Sequence, residues 1–278
     1  MIPPVARRFV AGKSPASALE HARQLNDDGV GAILNLLGEH YEERDPADED
    51  AEIYRDLLAE LGGSGLDACI SVKPSQLGLD VGEGLFRENL ERVVEAAAEH
   101  GRFVWVDMED HTTTDATLKA FEAQVESYPA MGLCLQANLK RTPRDVEHLA
   151  GLPGKVRLVK GAYEEPPEIA YTDKARVDEV YRDLLELAFR TFDGGVAVGS
   201  HDPEMVAHAA ELHEEYGTDY EIQMLMGVRE DTQRELAADG VPVYQYAPYG
   251  TRWLSYFYRR VMERKENALF ALRAIVSG

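Results

Sequence analysis

Six charged residues stand where charge is unexpected. Lys73 follows the apolar run ACISV, and Asp107 follows FVWV. Arg157 and Lys160 interrupt VRLVKGA, and Arg259 and Arg260 lie side by side in SYFYRRVMERKENA. Guanidinium groups match a carboxylate bidentately, so the arginine pair suits a carboxylate clamp, with Lys73 assisting as a point charge. Adjacent positions cannot share one helix face, so a merely solvated pair is the plain alternative. A lysine at a strand end also suits a Schiff base, which would make the chain an aldolase-type lyase using Lys73 or Lys160. Asp107 with Lys73 also reads as a structural ion pair.

Chemistry at these positions requires elements that bring them together. Eight short apolar runs recur along the chain: 31–39, 67–78, 102–110, 132–140, 155–162, 195–201, 220–227 and 241–250. Each has the length, the β-branched content and the Gly, Pro or Asp borders of a strand. Helical spacing fills the gaps at 86–100, 115–128, 142–151, 173–192, 203–217 and 230–240. The acidic stretch 40–61 ends as an amphipathic helix, and residues 1–30 read as one or two leading helices. This alternation predicts parallel pairing, and the count predicts a closed (β/α)8 barrel formed by residues 1–278 as one domain. An open dinucleotide-binding sheet would often carry a GxGxxG turn after its first strand, and none is present.

In such a barrel the chemistry sits at the C-terminal ends of the strands. Strand by strand, those ends offer Glu39, then Lys73, then Asp107, then Gln136 with Asn138. The second half offers Arg157 and Lys160 followed by Tyr163, then Ser200 with His201, then Gln223, and last Tyr244 with Tyr246. On this reading Arg157 and Lys160 are not in the middle of a core but lie where a strand delivers side chains into a pocket.

Asp and Glu total 50 against 29 Lys and Arg, for a net charge of −21, and only 8 of the cations are lysines. Such a field disfavours nucleic-acid binding. It fits an acidic protein of a salt-rich cytosol, where self-repulsion is screened. No run approaches the roughly 18 apolar residues of a membrane span, and MIPPVARRFVAGKSP has no apolar core of a secretory signal. Cys69 and Cys134 lie in apolar strand-like runs with no histidine pattern beside them, so they read as buried, reduced thiols and not as a metal site.

The motifs VRLVKGAYEEP, EIQMLMG and YAPYGTRWLSYFYRRVMERKENA together resemble the proline dehydrogenase family. SVKPSQLGL and WVDMED match further family motifs in the expected order, so the resemblance runs from about residue 67 to 273. It implies a distorted (β/α)8 barrel that holds FAD noncovalently, with the last helix over the barrel mouth. It implies oxidation of L-proline to Δ1-pyrroline-5-carboxylate by hydride transfer to flavin N5, the first step of proline catabolism. It also implies an electron acceptor such as a membrane quinone and coupling to a separate pyrroline-5-carboxylate dehydrogenase; the reduced thiols read as those of a cytoplasmic protein, peripheral at the membrane if a quinone is the acceptor.

Carried over residue by residue, the resemblance gives Lys73, Arg259 and Arg260 the substrate carboxylate, and gives Asp107 the task of orienting Lys73. Tyr163, Leu225 and Tyr246 would wall in the pyrrolidine ring. Arg157 would lie near flavin N5, and Gln136, Lys160, Gly161, Ala162, Ser200 and His201 would line the cofactor. Relatives that favour hydroxyproline tend to have a smaller residue at the place of Tyr246, so its presence implies a proline-selective pocket. The chain departs from the family at Ser200-His201-Asp202, where Thr-His-Asn is common, which sets an anion close to the expected cofactor phosphates. A flavin-bound barrel without activity is a further reading, against which the retention of Lys73, Asp107, Tyr163, Arg259 and Arg260 argues.

Overall fold

The computed structural model describes residues 6–254 and 256–258. Its strands are β1 (Gly31–Leu36), β2 (Ala68–Val72), β3 (Val104–Val106), β4 (Met131–Gln136), β5 (Lys155–Val159), β6 (Val196–Gly199), β7 (Tyr220–Leu225) and β8 (Val243–Tyr249). A 3-10 turn (Ala6–Arg8) and α1 (Pro15–Asp27) precede β1. Between the strands lie α2 (Arg44–Gly62), α3 (Glu83–His100), α4 (Thr114–Val125), α5 (Thr142–Leu149), α6 (Lys174–Thr191), α7 (Pro203–Tyr216) and α8 (Glu230–Ala238). All strands pair in parallel and in sequence order, and β8 closes on β1 in a register from Gly31 opposite Tyr244 to Leu36 opposite Tyr249. The closed barrel expected from the alternation is the observed fold. Arg259 and Arg260, with the expected helix over the mouth, lie outside the described residues.

Local sequence explains where the elements begin and end. Ser14 and Ser17 form a reciprocal capping box at α1, with Pro15 in its first turn. Asp173 caps α6 by accepting from the Arg176 N–H, and Asp202 caps α7 by accepting from the Glu204 N–H. Gly101 and Gly217 stop α3 and α7 in the left-handed conformation. The helices from α1 to α7 lay apolar residues on the barrel, as α2 does with Tyr54, Leu57, Leu58 and Leu61, whereas the only buried residue of α8 is Gln233.

The strands are buried on both faces, and the two faces differ in chemistry. Outward residues such as Leu34, Ile70 and Val106 join the large core under the helices. Inward residues form a smaller core of Ile33, Cys69, Trp105 and Ala197, against which Phe103, Tyr244 and Tyr246 pack. These rings need room across the barrel. A Cβ on Gly132 would fall 2.3 Å from the Trp105 ring, and one on Gly31 would fall 2.3 Å from that of Tyr244. Glycine at these two strand positions therefore makes space for the aromatic filling. Among the described residues no helix is long and apolar enough to cross a membrane.

Candidate active site

One cavity of about 980 Å³ opens over the C-terminal ends of the strands. Lys73, Asp107, Gln136, Arg157, Lys160 and Gly161 all line it. So do Ala162, Tyr163, Ser200, His201, Leu225 and Tyr246. The barrel thus brings together every described residue to which the resemblance gave a role, whereas two of the strand-end residues do not line the cavity: Asn138, and Tyr244, which packs in the inner core and donates to Asp67 ahead of β2.

The floor of the cavity is built around Asp107, which follows β3 directly. Its Oδ1 accepts from Ser71 Oγ at 2.7 Å and from the Arg157 guanidinium, and its Oδ2 accepts from Tyr246 OH at 2.7 Å. Lys73 Nζ lies further off, at 3.8 Å. Burial alone would raise the Asp107 pKa, but Arg157, Lys73 and the Ser71 and Tyr246 hydroxyls together hold it below the usual carboxylate range. Asp107 is therefore a saturated, permanent anion and a poor general base.

Arg157 corrects the sequence reading. It lies inside β5 and not at its end, and it is 4% exposed. Its side chain points into the barrel, because positions 155, 157 and 159 alternate inward once the barrel closes. The guanidinium lies 4.9 Å over the Trp105 ring and 5.8 Å from that of Tyr246. It donates to Gln223 Oε1 at 3.2 Å and to Ser71 Oγ at 3.3 Å, besides Asp107. So this cation does face the cavity, but at its floor, paired one layer below the rim. Asp107 serves chiefly Arg157, with Lys73 as its second and more distant partner.

Lys160 does reach the rim. Its ammonium is shared between Asp178 and Asp202, the latter at 2.9 Å, and Lys174 donates to Asp178 at 2.6 Å. Asp202, the departure from the family pattern, is thus neutralised by Lys160 while it caps α7. The two lysines share one trait. Burial works against the charge of Lys73, but Asp107, Tyr163, Glu109 and Glu39 hold its ammonium above the ordinary value. Burial likewise works against Lys160, and its two aspartates override it. A Schiff-base lysine needs the opposite shift. Burial pushes the Tyr163 phenol up to about 12, against the pull of Lys73.

The upper wall has a backbone component. β6 ends at Gly199, so the Leu225 N–H has outrun its ladder partner. It donates instead to His201 Nε2 at 2.9 Å, which leaves the His201 proton on Nδ1. Ser71 and Trp105 were missed by sequence reasoning, and Gln223 was noted without a role. Ser71 carries a legible signal, since it shares the inward parity of Lys73 two residues on. Arg252 also lines the cavity, 4.4 Å over the ring of Tyr41, whose hydroxyl donates to Asp50 at 2.6 Å.

Comparison with known proteins adds independent findings. A family profile described as proline dehydrogenase matches residues 18–273. A protein of Deinococcus radiodurans named proline dehydrogenase is 38% identical over 99% of this chain and 91% of its own length. Proline dehydrogenase 1 of Bacillus subtilis is 34% identical over 98% of this chain and 90% of its own. The crystal structure of proline utilization A from Bdellovibrio bacteriovorus, inactivated by N-propargylglycine, superposes with a TM-score of 0.85 at 24% identity. It covers 93% of this chain, which spans 32% of that larger protein.

Proposed function

Because the chain belongs to the proline dehydrogenase family and oxidises L-proline to Δ1-pyrroline-5-carboxylate, we propose that FAD is the flavin of this reaction and that the cavity over Asp107 and Arg157 is where it works. The observation that carries this reading is the saturated Asp107, Arg157 and Tyr246 cluster at the floor of a 980 Å³ cavity. That volume lies at the upper end of small-molecule sites, about 300–1,000 Å³, and far exceeds what an amino acid alone would use. Small residues at the ends of β5 and β6, namely Gly161, Ala162, Gly199 and Ser200, leave main chain to face a flat ring system. The donors Gln136, Arg157, Lys160, Ser200 and His201 suit its carbonyl, ribityl and phosphate groups, so the residues present fit the group. When bound, the flavin supplies the hydride acceptor, N5.

The remaining tasks fall to side chains of this chain. Lys73 binds the substrate carboxylate, in concert with Arg259 and Arg260. This fixes the donor carbon, the orientation that hydride transfer demands. Tyr163, Leu225 and Tyr246 enclose the pyrrolidine ring and exclude water. Arg157 presents a fixed positive charge where negative charge develops, already oriented by Asp107 and so needing no reorganisation. Electrons then pass to an acceptor of the quinone type at the membrane surface, and the product passes to a separate pyrroline-5-carboxylate dehydrogenase. The 278 residues act as one domain in this reading, with residues 1–30 as its leading helices.

The test is the visible spectrum of the protein reconstituted with FAD in high KCl, recorded before and after anaerobic L-proline. A flavin band that bleaches with proline and not with alanine supports the assignment. A protein that stays colourless with added FAD overturns the cofactor. A yellow protein indifferent to proline overturns the placement of the substrate residues.

A further inference from the structure

Leu225 is held at both ends of its backbone by side chains. Its N–H is taken by His201, as described above. Its carbonyl accepts from Gln233 Nε2 of α8 at 3.2 Å, and the same nitrogen donates to Val228 O at 2.8 Å. Both amide hydrogens of Gln233 are thereby committed, so its oxygen must accept. It accepts from Gln245 Nε2 of β8 at 2.9 Å. Gln245 then presents its own oxygen outward, 2.7 Å from His21 Nε2 on α1. His21 must donate, which places a proton on Nε2. The polarity of the whole chain is set from the inside by two backbone carbonyls.

We propose that His21, Gln245 and Gln233 form a positioning relay that sets the Leu225 wall of the substrate site from outside the barrel. This rests on the reading above that Leu225 encloses the pyrrolidine ring. Gln233 is 1% exposed and Gln245 is 2% exposed, so solvent cannot replace a lost partner at either. Removing the His21 donor strands the Gln245 oxygen, and leaving a buried polar atom unsatisfied is costly. The relief open to it is rotation of the two amides, which unseats Gln233 from the Leu225 and Val228 carbonyls. Productive hydride geometry is sensitive to small displacements of such a wall. The outer end is accessible to the rest of the molecule, because His21 lines a separate cavity of about 500 Å³ together with Met226, the residue next to Leu225.

The experiment compares His21→Phe, which removes the donor, with His21→Gln, which keeps an N–H near the Nε2 position. Flavin content, Tm, proline KM and the kcat/KM ratio of L-proline to trans-4-hydroxy-L-proline are measured on the flavin-loaded full chain. His21→Phe is expected to raise the proline KM roughly three- to tenfold and to lower the ratio with flavin content intact. His21→Gln is expected to match the wild type. Equal effects of the two variants, or a lowered Tm with an unmoved ratio, overturn the relay. If His21→Phe does not fold, Gln233→Glu, which cannot donate to both carbonyls, is read in the same way. Leu225→Ala runs alongside. If it leaves KM and the ratio unchanged, the wall reading falls and the relay with it. If it moves them while the relay variants do not, only the relay falls.

Discussion

The Arg157 guanidinium on β5 donates to the carboxylate of Asp107, fifty residues earlier in the chain, across the inside of the barrel. Arg157 is 4% exposed and Asp107 is 7% exposed, so neither charge has an alternative partner in water. Breaking a buried pair by removing one member costs about 3–5 kcal/mol, because the other is left uncompensated. The pair therefore links stability to catalysis.

Arg157→Lys keeps the charge but loses the fork that serves Asp107, Gln223 and Ser71 together, and loses the stack on Trp105. The exchange is not conservative at such a site. Flavin reduction by proline is expected to slow by about a hundredfold, the lower end of what losing one preorganised donor costs, because the charge itself is kept. Anaerobic stopped-flow absorbance checks this, and normal reduction kinetics with full flavin content would remove Arg157 from the mechanism.

Asp107→Asn should destabilise the protein by about 3–5 kcal/mol and should do so with a specific pH dependence. The folded-state pKa of Asp107 lies below its ordinary 3.8, so its contribution is complete above that value and is lost as pH falls through the lower, folded-state value. That of Lys73 lies above its ordinary 10.5, so its contribution is complete below that value and is lost as pH rises through the higher one. The stability gap between wild type and Asp107→Asn is thus expected to stay flat from roughly pH 5 to 9 and to shrink in acid. Urea unfolding across that range measures it, and a gap that varies near neutrality would contradict the assignment.

Tyr246→Ser removes a ring from the wall and a hydrogen bond of 2.7 Å from Asp107. The kcat/KM for trans-4-hydroxy-L-proline relative to L-proline is expected to rise about tenfold, the scale on which a pocket discriminates a small group. Steady-state kinetics on both substrates decide it. An unchanged ratio would assign selectivity to other residues.

A net charge of −21 over 278 residues leaves strong self-repulsion to be screened. The screening length falls from about 10 Å at 0.1 M salt to about 3 Å at 1 M. Tm is expected to rise by several degrees between dilute buffer and 2 M KCl, and to rise less in an uncharged osmolyte of matched osmolarity. A Tm independent of KCl would remove salt adaptation as the reason for the acidity.

How much of this was legible in the sequence depends on the range of the interaction. The eight-fold alternation, the caps at Ser14, Asp173 and Asp202, and the run of polar residues after successive strands are local patterns. Periods of 2 and 3.6 and the chemistry of capping residues specify them directly, so the sequence by itself determined the barrel and most of the described residues at its mouth, Tyr244 and Asn138 excepted. It also contains parity, the inward direction that Ser71 shares with Lys73, although only Lys73 was read from it. Parity does not say how far along the barrel axis a side chain stands, because that depends on the stagger with which the strands close. Only the tertiary structure therefore decided that Arg157 lies one layer below Lys160, beside Asp107, Trp105 and Gln223. Closure likewise left the Leu225 N–H past the end of β6, where His201 meets it. The run from His21 through Gln245 to Gln233 joins α1, β8 and α8, elements more than 200 residues apart at the extreme. No local pattern encodes such a partnership, since the hydrogen bonds exist only once the barrel has brought those surfaces together.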